Sequence, residues 1–269
     1  MKSAIGHAGD LDYSVFVRRV AEKTGIDLGS YKRKQMERRL RSLAQGYGTS
    51  SLLEFYDLLE RDAEVLDQFR RRMTINVSEL FRNPDKFEEL RRNMLPGLLR
   101  TARRPKVWSA GCSHGAEAYS VAILLRELGA AEAWILGTDI DEDMLARARE
   151  GRFSEADMKN VSPLRRRRFF RQDGRWHSVR PELRHMVQFR HHDLLRDRCD
   201  KGFHLILCRN VVIYFTEEAK DRLYPRLYES LAPGGVLFTG STERISRAQR
   251  LGFESLSGFF YRRPVEPGR

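Results

Sequence analysis

One stretch constrains the fold of this chain more than any other: Lys106 to Ser120, KVWSAGCSHGAEAYS. It reads as a buried strand carrying Val107 and Trp108, then a turn holding Gly111 and Gly115, then the start of a helix. The helix continues through Val121, Ala122, Leu124, Leu125 and Leu128, apolar positions at i, i+3, i+4 and i+7, and Gly129 ends it. Strand, glycine turn and helix in that order is how an α/β protein brings backbone close to a nucleotide-like ligand. Such turns also occur for packing alone, so this stretch by itself leaves ligand binding open.

The next stretch narrows the choice. Ala133 to Leu136 reads as a second strand running into Gly137-Thr138-Asp139-Ile140-Asp141. An acidic residue at the end of the second strand is where a ribose diol is held, because a carboxylate accepts both hydroxyl hydrogens. Asp139 fits that role. Asp141 reads as the cap of a helix from Glu142 to Glu150, acidic in its first turn and carrying Arg147 and Arg149 in its last. The turn is not G-x-G-x-x-G, which disfavours a dinucleotide with its pyrophosphate. Adenosine without phosphates fits better, and S-adenosylmethionine is the common ligand of that kind.

Composition sets the remaining bounds. A hydrophobic fraction of 41% in 269 residues supports an ordinary globular core of one large or two moderate domains. No apolar run has the length of a membrane span, and the N-terminus lacks a signal-peptide core. Cys112, Cys199 and Cys208 form no C-x-x-C pair, which points to a reducing, cytoplasmic setting and away from structural zinc. His191 and His192 are adjacent in an extended segment and point to opposite sides, so no metal site is expected. A formal net charge of +12 implies an acidic partner without saying whether it is nucleic acid, membrane or protein.

Before the α/β pattern, the chain reads as four short helices. Residues 1 to 10 look like a loose tail. A first helix carries Tyr13, Phe16, Val17 and Val20 and ends at Gly25; a second, capped by Ser30, runs to about Ala44. Ser51 with Glu54 makes a capping box for a third, Leu52 to Glu60, and a fourth spans Glu64 to Met73. The second helix bears Lys32, Arg33, Lys34, Arg38, Arg39 and Arg41, a density beyond what solubility requires. A solvated surface and a docking face for an acidic partner both account for it, the former more simply. Thr74 to Arg82, TINVSELFR, links the two parts, followed by a helix from about Pro84 to Leu99.

Beyond the second strand, Pro163 to Phe189 breaks the βα rhythm. Arg165 to Arg168 precede Phe169, Phe170, Trp176, Val179, Val187 and Phe189, which suggests a small antiparallel insertion packing its aromatics on the domain. Phe203 to Cys208 is a buried strand ending at Arg209-Asn210, beside the nucleoside pocket. A helix capped by Thr216 follows, then a turn through Pro233-Gly234-Gly235 into a strand, Val236 to Thr239. Phe253 to Tyr261 has the pattern of a final hairpin strand.

Taken together, INVSELFR, AGCSHGAEAYS, the TDID strand end, CRNVVIYF and GVLFTGSTE resemble the CheR family of chemotaxis receptor methyltransferases, over nearly the whole chain. The resemblance implies a small all-α N-terminal domain (residues 1–73), a linker and connecting helix (74–105), and a Rossmann-like, α/β class I methyltransferase domain (106–269) with a small antiparallel β insertion at about 163–190. It implies transfer of a methyl group from S-adenosylmethionine to glutamate side chains on chemoreceptor cytoplasmic helices, with S-adenosylhomocysteine as product. Carried over by motif position, the cofactor contacts fall on Asn76, Ser78, Arg82, Glu117, Asp139, Asp193, Leu194, Asn210 and Val211. The linker thereby becomes a lid over the cofactor, which the residues alone do not show. This chain departs from the family at Ala116 and Ala118, where the usual turn reads G-E-E-P-Y, and at Asp193, where Asn is usual. The cofactor-binding second glutamate, Glu117, is retained. Loss of the proline is expected to loosen the helix start, and Asp193 has one donor fewer.

The acceptor carboxylate is ionised at neutral pH, so no general base is required. Arg82 is the expected positioning cation and Tyr214 the expected hydrogen-bond donor to the acceptor. The basic helix around Lys32 to Arg41 becomes the expected docking face for receptor helices, with no nucleic acid, no membrane insertion and a monomeric enzyme. Two other readings stand behind this one. A methyltransferase acting on nucleic acid would show steep salt dependence; a non-catalytic relative would bind cofactor without turnover.

Overall fold

The computed structural model describes residues 2–73, 78–130 and 132–265. In chain order the elements are α1 (Lys2–Thr24), α2 (Arg33–Gly46), α3 (Leu52–Arg61), α4 (Ala63–Met73), α5 (Pro84–Glu89), α6 (Leu95–Thr101), β1 (Lys106–Ala110), α7 (Ala116–Glu127), β2 (Trp134–Asp139) and α8 (Glu142–Glu150). There follow β3 (Arg152–Ser154), α9 (Pro163–Phe169), β4 (Phe170–Asp173), β5 (Trp176–Val179), α10 (Pro181–Arg184), β6 (Val187–His191), β7 (Phe203–Cys208), α11 (Glu217–Ser230), β8 (Leu231–Thr239), β9 (Glu254–Ser257) and β10 (Phe260–Arg262). They form two compact units, Met1–Thr74 with Ile213–Asp221, and Ile75–Val212 with Arg222–Arg269.

The first unit is helical, around an aromatic knot. Phe16 stacks on Phe55 at 6.1 Å, and Phe69 meets both edge-on. Ser51 caps α3 through the Glu54 N–H, as its spacing predicts. Two expectations are corrected here. Helix α1 begins at Lys2, so residues 2–10 continue the helix rather than trail from it. Ser30 does not cap α2: its hydroxyl donates to Asp27 at 2.6 Å within a short 3₁₀ turn, Leu28–Ser30. Tyr31 then bridges to Phe215, and α2 starts only at Arg33. A pairing between segments so far apart in the chain leaves no local trace.

The second unit is a seven-stranded sheet in the order β6-β2-β1-β7-β8-β10-β9. The pairs from β6 to β8 are parallel, and the β8–β10–β9 edge is antiparallel. The chain runs from β1 outward to β2 and β6, then returns to β7 on the other flank of β1. That reversal opens a crevice at the carboxyl ends of β1 and β7, where open α/β sheets bind ligands. Helix α7 is buried along most of its length, from Ala116 to Leu125. Its start is packed into the core, with Ala116 and Ala118 both wholly buried.

The antiparallel insertion is present as a three-stranded sheet, β3-β5-β4, but it is drawn differently from the sequence pattern. It recruits Arg152–Ser154, and it releases Val187–His191 to the main sheet, where Val187 pairs with Ile135 and Phe189 with Gly137. Alternating Val-x-Phe reads alike in a hairpin and in a half-covered edge strand. Further upstream, α5 and α6 form one continuous helix interrupted by a π-turn, Leu90–Met94. Pro96 has no N–H for the preceding turn, and widening the ladder before it accommodates the ring. Among the described residues no helix is long and apolar enough to cross a membrane.

Candidate active site

The glycine turn is tied to the end of β2 by backbone. Both Gly111 N and Cys112 N donate to the Thr138 carbonyl, at 2.8 and 2.9 Å. Ser113, at φ +49°, donates its N–H to Asp139 Oδ2 at 2.7 Å, and Asp141 N donates to Oδ1 at 3.0 Å. Asp139 therefore shapes the turn and retains lone pairs for further donors. Burial pushes its carboxyl up, against the pull of these N–H donors. Hydroxyl donors from a ribose would relieve that penalty.

Glu117 lies in the first turn of α7. It accepts from Ser109 Oγ at 2.7 Å and pairs with Arg209 Nη1 at 3.3 Å. Burial raises its carboxyl, and Arg209 and Ser109 only partly oppose the shift. Arg209 is buried, its guanidinium lying over the rings of Phe87 at 5.1 Å and Phe238 at 4.6 Å. Its Nη2 donates to the Arg82 carbonyl at 2.9 Å and to Asn83 Oδ1 at 3.0 Å. One side chain thus joins the helix after the glycine turn to the segment that carries Arg82.

That segment is pinned along its length. Leu80 N donates to the Asp157 carbonyl at 3.1 Å, Phe81 N to Ser120 Oγ at 2.9 Å, and Asn160 Nδ2 to Glu79 Oε1 at 3.0 Å. Phe81 and Asn83 both adopt left-handed backbone, at φ +55° and +62°. Ser78 and Arg82 are half-buried on this strap. Asn76 lies outside the described residues.

The other expected contacts follow the ends of strands. Asp193 and Leu194 come directly after β6, and His192 N donates to the Asp139 carbonyl at 2.9 Å, which sets this segment beside β2. Asp193 Oδ1 accepts from Leu195 N at 2.8 Å, so the carboxylate also closes its own turn. Asn210 and Val211 follow β7. Val211 packs against the glycine turn, since a Cβ on Gly111 (φ +75°) would stand 2.5 Å from Val211 Cγ2. Gly111→Ala is therefore expected to cost about 1–3 kcal/mol of stability, from left-handed strain plus overpacking. Thermal denaturation checks it, and an unchanged midpoint would contradict the close approach. Six expected contacts, Glu117, Asp139, Asp193, Leu194, Asn210 and Val211, are thus gathered at one edge of the sheet. Tyr214 belongs to the helical unit.

A model described as CheR methyltransferase, SAM binding domain, matches residues 76–259, and one described as CheR methyltransferase, all-alpha domain, matches residues 11–74. The chain belongs to the CheR methyltransferase family. The chain is 41% identical over 252 residues to a protein of Listeria monocytogenes named chemotaxis protein methyltransferase, covering 93% of this chain and 96% of that one. It is 35% identical to chemotaxis protein methyltransferase 1 of Pseudomonas aeruginosa, over 89% of this chain and 92% of the relative. It is 33% identical to chemotaxis protein methyltransferase Cher2 of Pseudomonas putida, over 88% and 92%. This CheR protein is an S-adenosylmethionine-dependent methyltransferase. The crevice suits that cofactor: the carboxylates of Glu117 and Asp139, both raised by burial, lie at this edge of the sheet, and the turn makes no phosphate cradle of the G-x-G-x-x-G kind.

Reading the residues alone missed Arg209 and Glu243, both buried. A signal for the first was present: an arginine that directly follows the largely apolar FHLILC strand is placed for burial rather than for solvent.

Proposed function

We propose that this chain methylates glutamate γ-carboxylates on chemoreceptor cytoplasmic domains, giving glutamate methyl esters, as a cytoplasmic enzyme of chemotaxis adaptation. The observation that carries this reading lies in the helical unit. Lys32 N, at the start of α2, donates to the Tyr214 carbonyl at 2.8 Å, and Thr216 N to the Ser30 carbonyl at 2.9 Å. The chain around Tyr214 is thereby stitched to the basic helix, and Tyr214 and Tyr31 are close enough to act electrostatically on Arg39. A phenol beside a row of cations suits an acceptor that bears carboxylates.

When bound, S-adenosylmethionine supplies a methyl group on a sulfonium and leaves as S-adenosylhomocysteine. Asp139 and Glu117 hold the cofactor by its hydroxyls and ammonium, and Ser78, Asn76, Asp193, Leu194, Asn210 and Val211 complete its pocket. Arg82 steers the acceptor carboxylate, and Tyr214 donates a hydrogen bond to it. The carboxylate enters ionised, so placement and exclusion of water carry the rate rather than proton transfer.

The structure sorts the cations of the basic helix. Arg41 bonds Glu37 and Asp12, and Asp12 in turn accepts the Leu52 and Leu53 N–H groups that open α3. Arg39 donates to the Arg72 carbonyl. These two hold the helical unit together, whereas Lys34 and Arg38 are exposed. Charge reversal at Lys34 and Arg38 should raise the receptor KM about 5- to 30-fold, at roughly 0.5–1 kcal/mol per exposed charge, and leave cofactor affinity alone. An unchanged receptor KM would return α2 to a solvated surface. Peptide mapping of a receptor fragment after reaction tests the chemistry. The methyl should sit on glutamates, and modification confined to nitrogen atoms or to nucleic acid would overturn the proposal.

A further inference from the structure

The motif Gly240-Ser241-Thr242-Glu243 follows β8, and the cofactor and acceptor assignments leave it without a role. Glu243 is 4% exposed. Its Oε2 accepts two backbone N–H groups, from Gly240 at 2.8 Å and from Asn210 at 2.6 Å. The second bond crosses from the loop after β8 to the end of β7, between strands paired at Cys208 and Thr239. Gly240 makes room for it, since a Cβ there would stand 2.1 Å from Glu243 Oε2 and 2.9 Å from Asn210 N. A carboxylate buried this deeply is costly unless its bonds are good, and hydrogen bonds from N–H to an ionised acceptor are among the stronger ones.

What the carboxylate holds is an unusual backbone. Asn210 sits at φ +59°, in the left-handed region that costs a residue with a side chain roughly 1–2 kcal/mol. On the far side of this corner, Val211 is wedged against Gly111. The corner Asn210-Val211 is therefore fixed between a carboxylate and the glycine turn, with no freedom left to a residue that must meet a ligand. A carboxylate that only closed its own loop would bond Gly240 and stop there.

We infer that Glu243 is a positioning residue of the cofactor site: it holds the left-handed turn at Asn210 and so places Asn210 and Val211 against the cofactor. This rests on the reading that Asn210 and Val211 contact S-adenosylmethionine. Glu243 acts through Asn210, so its loss moves a contact rather than removing one.

The test is calorimetric titration of S-adenosylhomocysteine into the full-length protein and its variants, with thermal denaturation of each. Glu243→Ala should bind about tenfold or more weakly in its folded fraction, as expected for a misplaced contact. Glu243→Gln offers one amide oxygen to both N–H groups and should stay within about threefold of the parent. Asn210→Ala measures the contact itself and should also weaken binding. If Glu243→Ala fails to fold, Glu243→Asp, too short to reach both N–H groups, takes its place with the same expected result. Weakened binding by Asn210→Ala but parental affinity in folded Glu243→Ala would overturn the positioning role alone. Parental affinity in Asn210→Ala would overturn the contact and the inference resting on it.

Discussion

Arg209→Met is expected to destabilise the methyltransferase unit by about 3–5 kcal/mol, the range for removing one partner of a buried ion pair. Methionine fills much of the space between Phe87 and Phe238, so the loss is electrostatic rather than a cavity. Glu117 would keep its bond from Ser109 and lose the guanidinium of Arg209, while the Arg82 carbonyl and Asn83 Oδ1 would lose their donor. The pH dependence has a definite sign. The Glu117 carboxyl already lies above its ordinary range because burial disfavours the charge. A group whose folded value is raised binds more protons folded than unfolded, so its contribution is favourable at low pH and lost as pH rises through the folded value. Removing Arg209 raises Glu117 further. The variant should therefore be weakest at neutral and alkaline pH and regain part of the loss on mild acidification. The double variant Arg209→Met with Glu117→Gln should recover most of it at neutral pH. Urea denaturation of both at neutral and mildly acidic pH checks this; a loss that the double variant does not reduce would contradict the ion-pair account.

Asp139→Ala should weaken cofactor binding by about 30- to 150-fold, since charge-assisted hydrogen bonds contribute about 2–3 kcal/mol. Two effects combine. The ribose loses its acceptor, and Ser113 N, held at 2.7 Å in a left-handed conformation, loses the bond that shapes the glycine turn. Asp139→Asn separates them, because an amide oxygen can still accept from Ser113 but carries no charge. It should fall between alanine and the parent. Parental affinity in Asp139→Ala, measured by titration of S-adenosylhomocysteine, would remove Asp139 from the site.

The parts of the fold legible in the sequence are those with short-range causes. The strand, turn and helix at Lys106–Glu127, the Asp141 cap and the Ser51 cap each follow from residues within a few positions of one another, although Glu54 bonds back to Ser50 N rather than to Ser51 N. Asp139 was legible for the same reason, as the last residue of a strand. Two of the corrections have long-range causes. The start of α2 is set by a bridge from Tyr31 to Phe215, and Val187–His191 joins β2 rather than the insertion through pairing across about fifty residues of chain. Arg209 and Glu243 escaped because a buried charge is meaningful only with its partners, which come from Glu117, Asn83 and Asn210 far along the chain. Family resemblance supplied Ser78, Arg82 and Tyr214; no local pattern of the residues singles them out.

The most direct measurement is transfer of labelled methyl from S-adenosylmethionine to a chemoreceptor cytoplasmic fragment, with Asp139→Ala alongside. The account predicts base-labile label on the receptor with the parent enzyme and far less with the variant at limiting cofactor, because carboxyl methyl esters hydrolyse in alkali and the variant binds cofactor about 30- to 150-fold more weakly. Cofactor binding without label on any receptor fragment, or label that survives alkali, would contradict it.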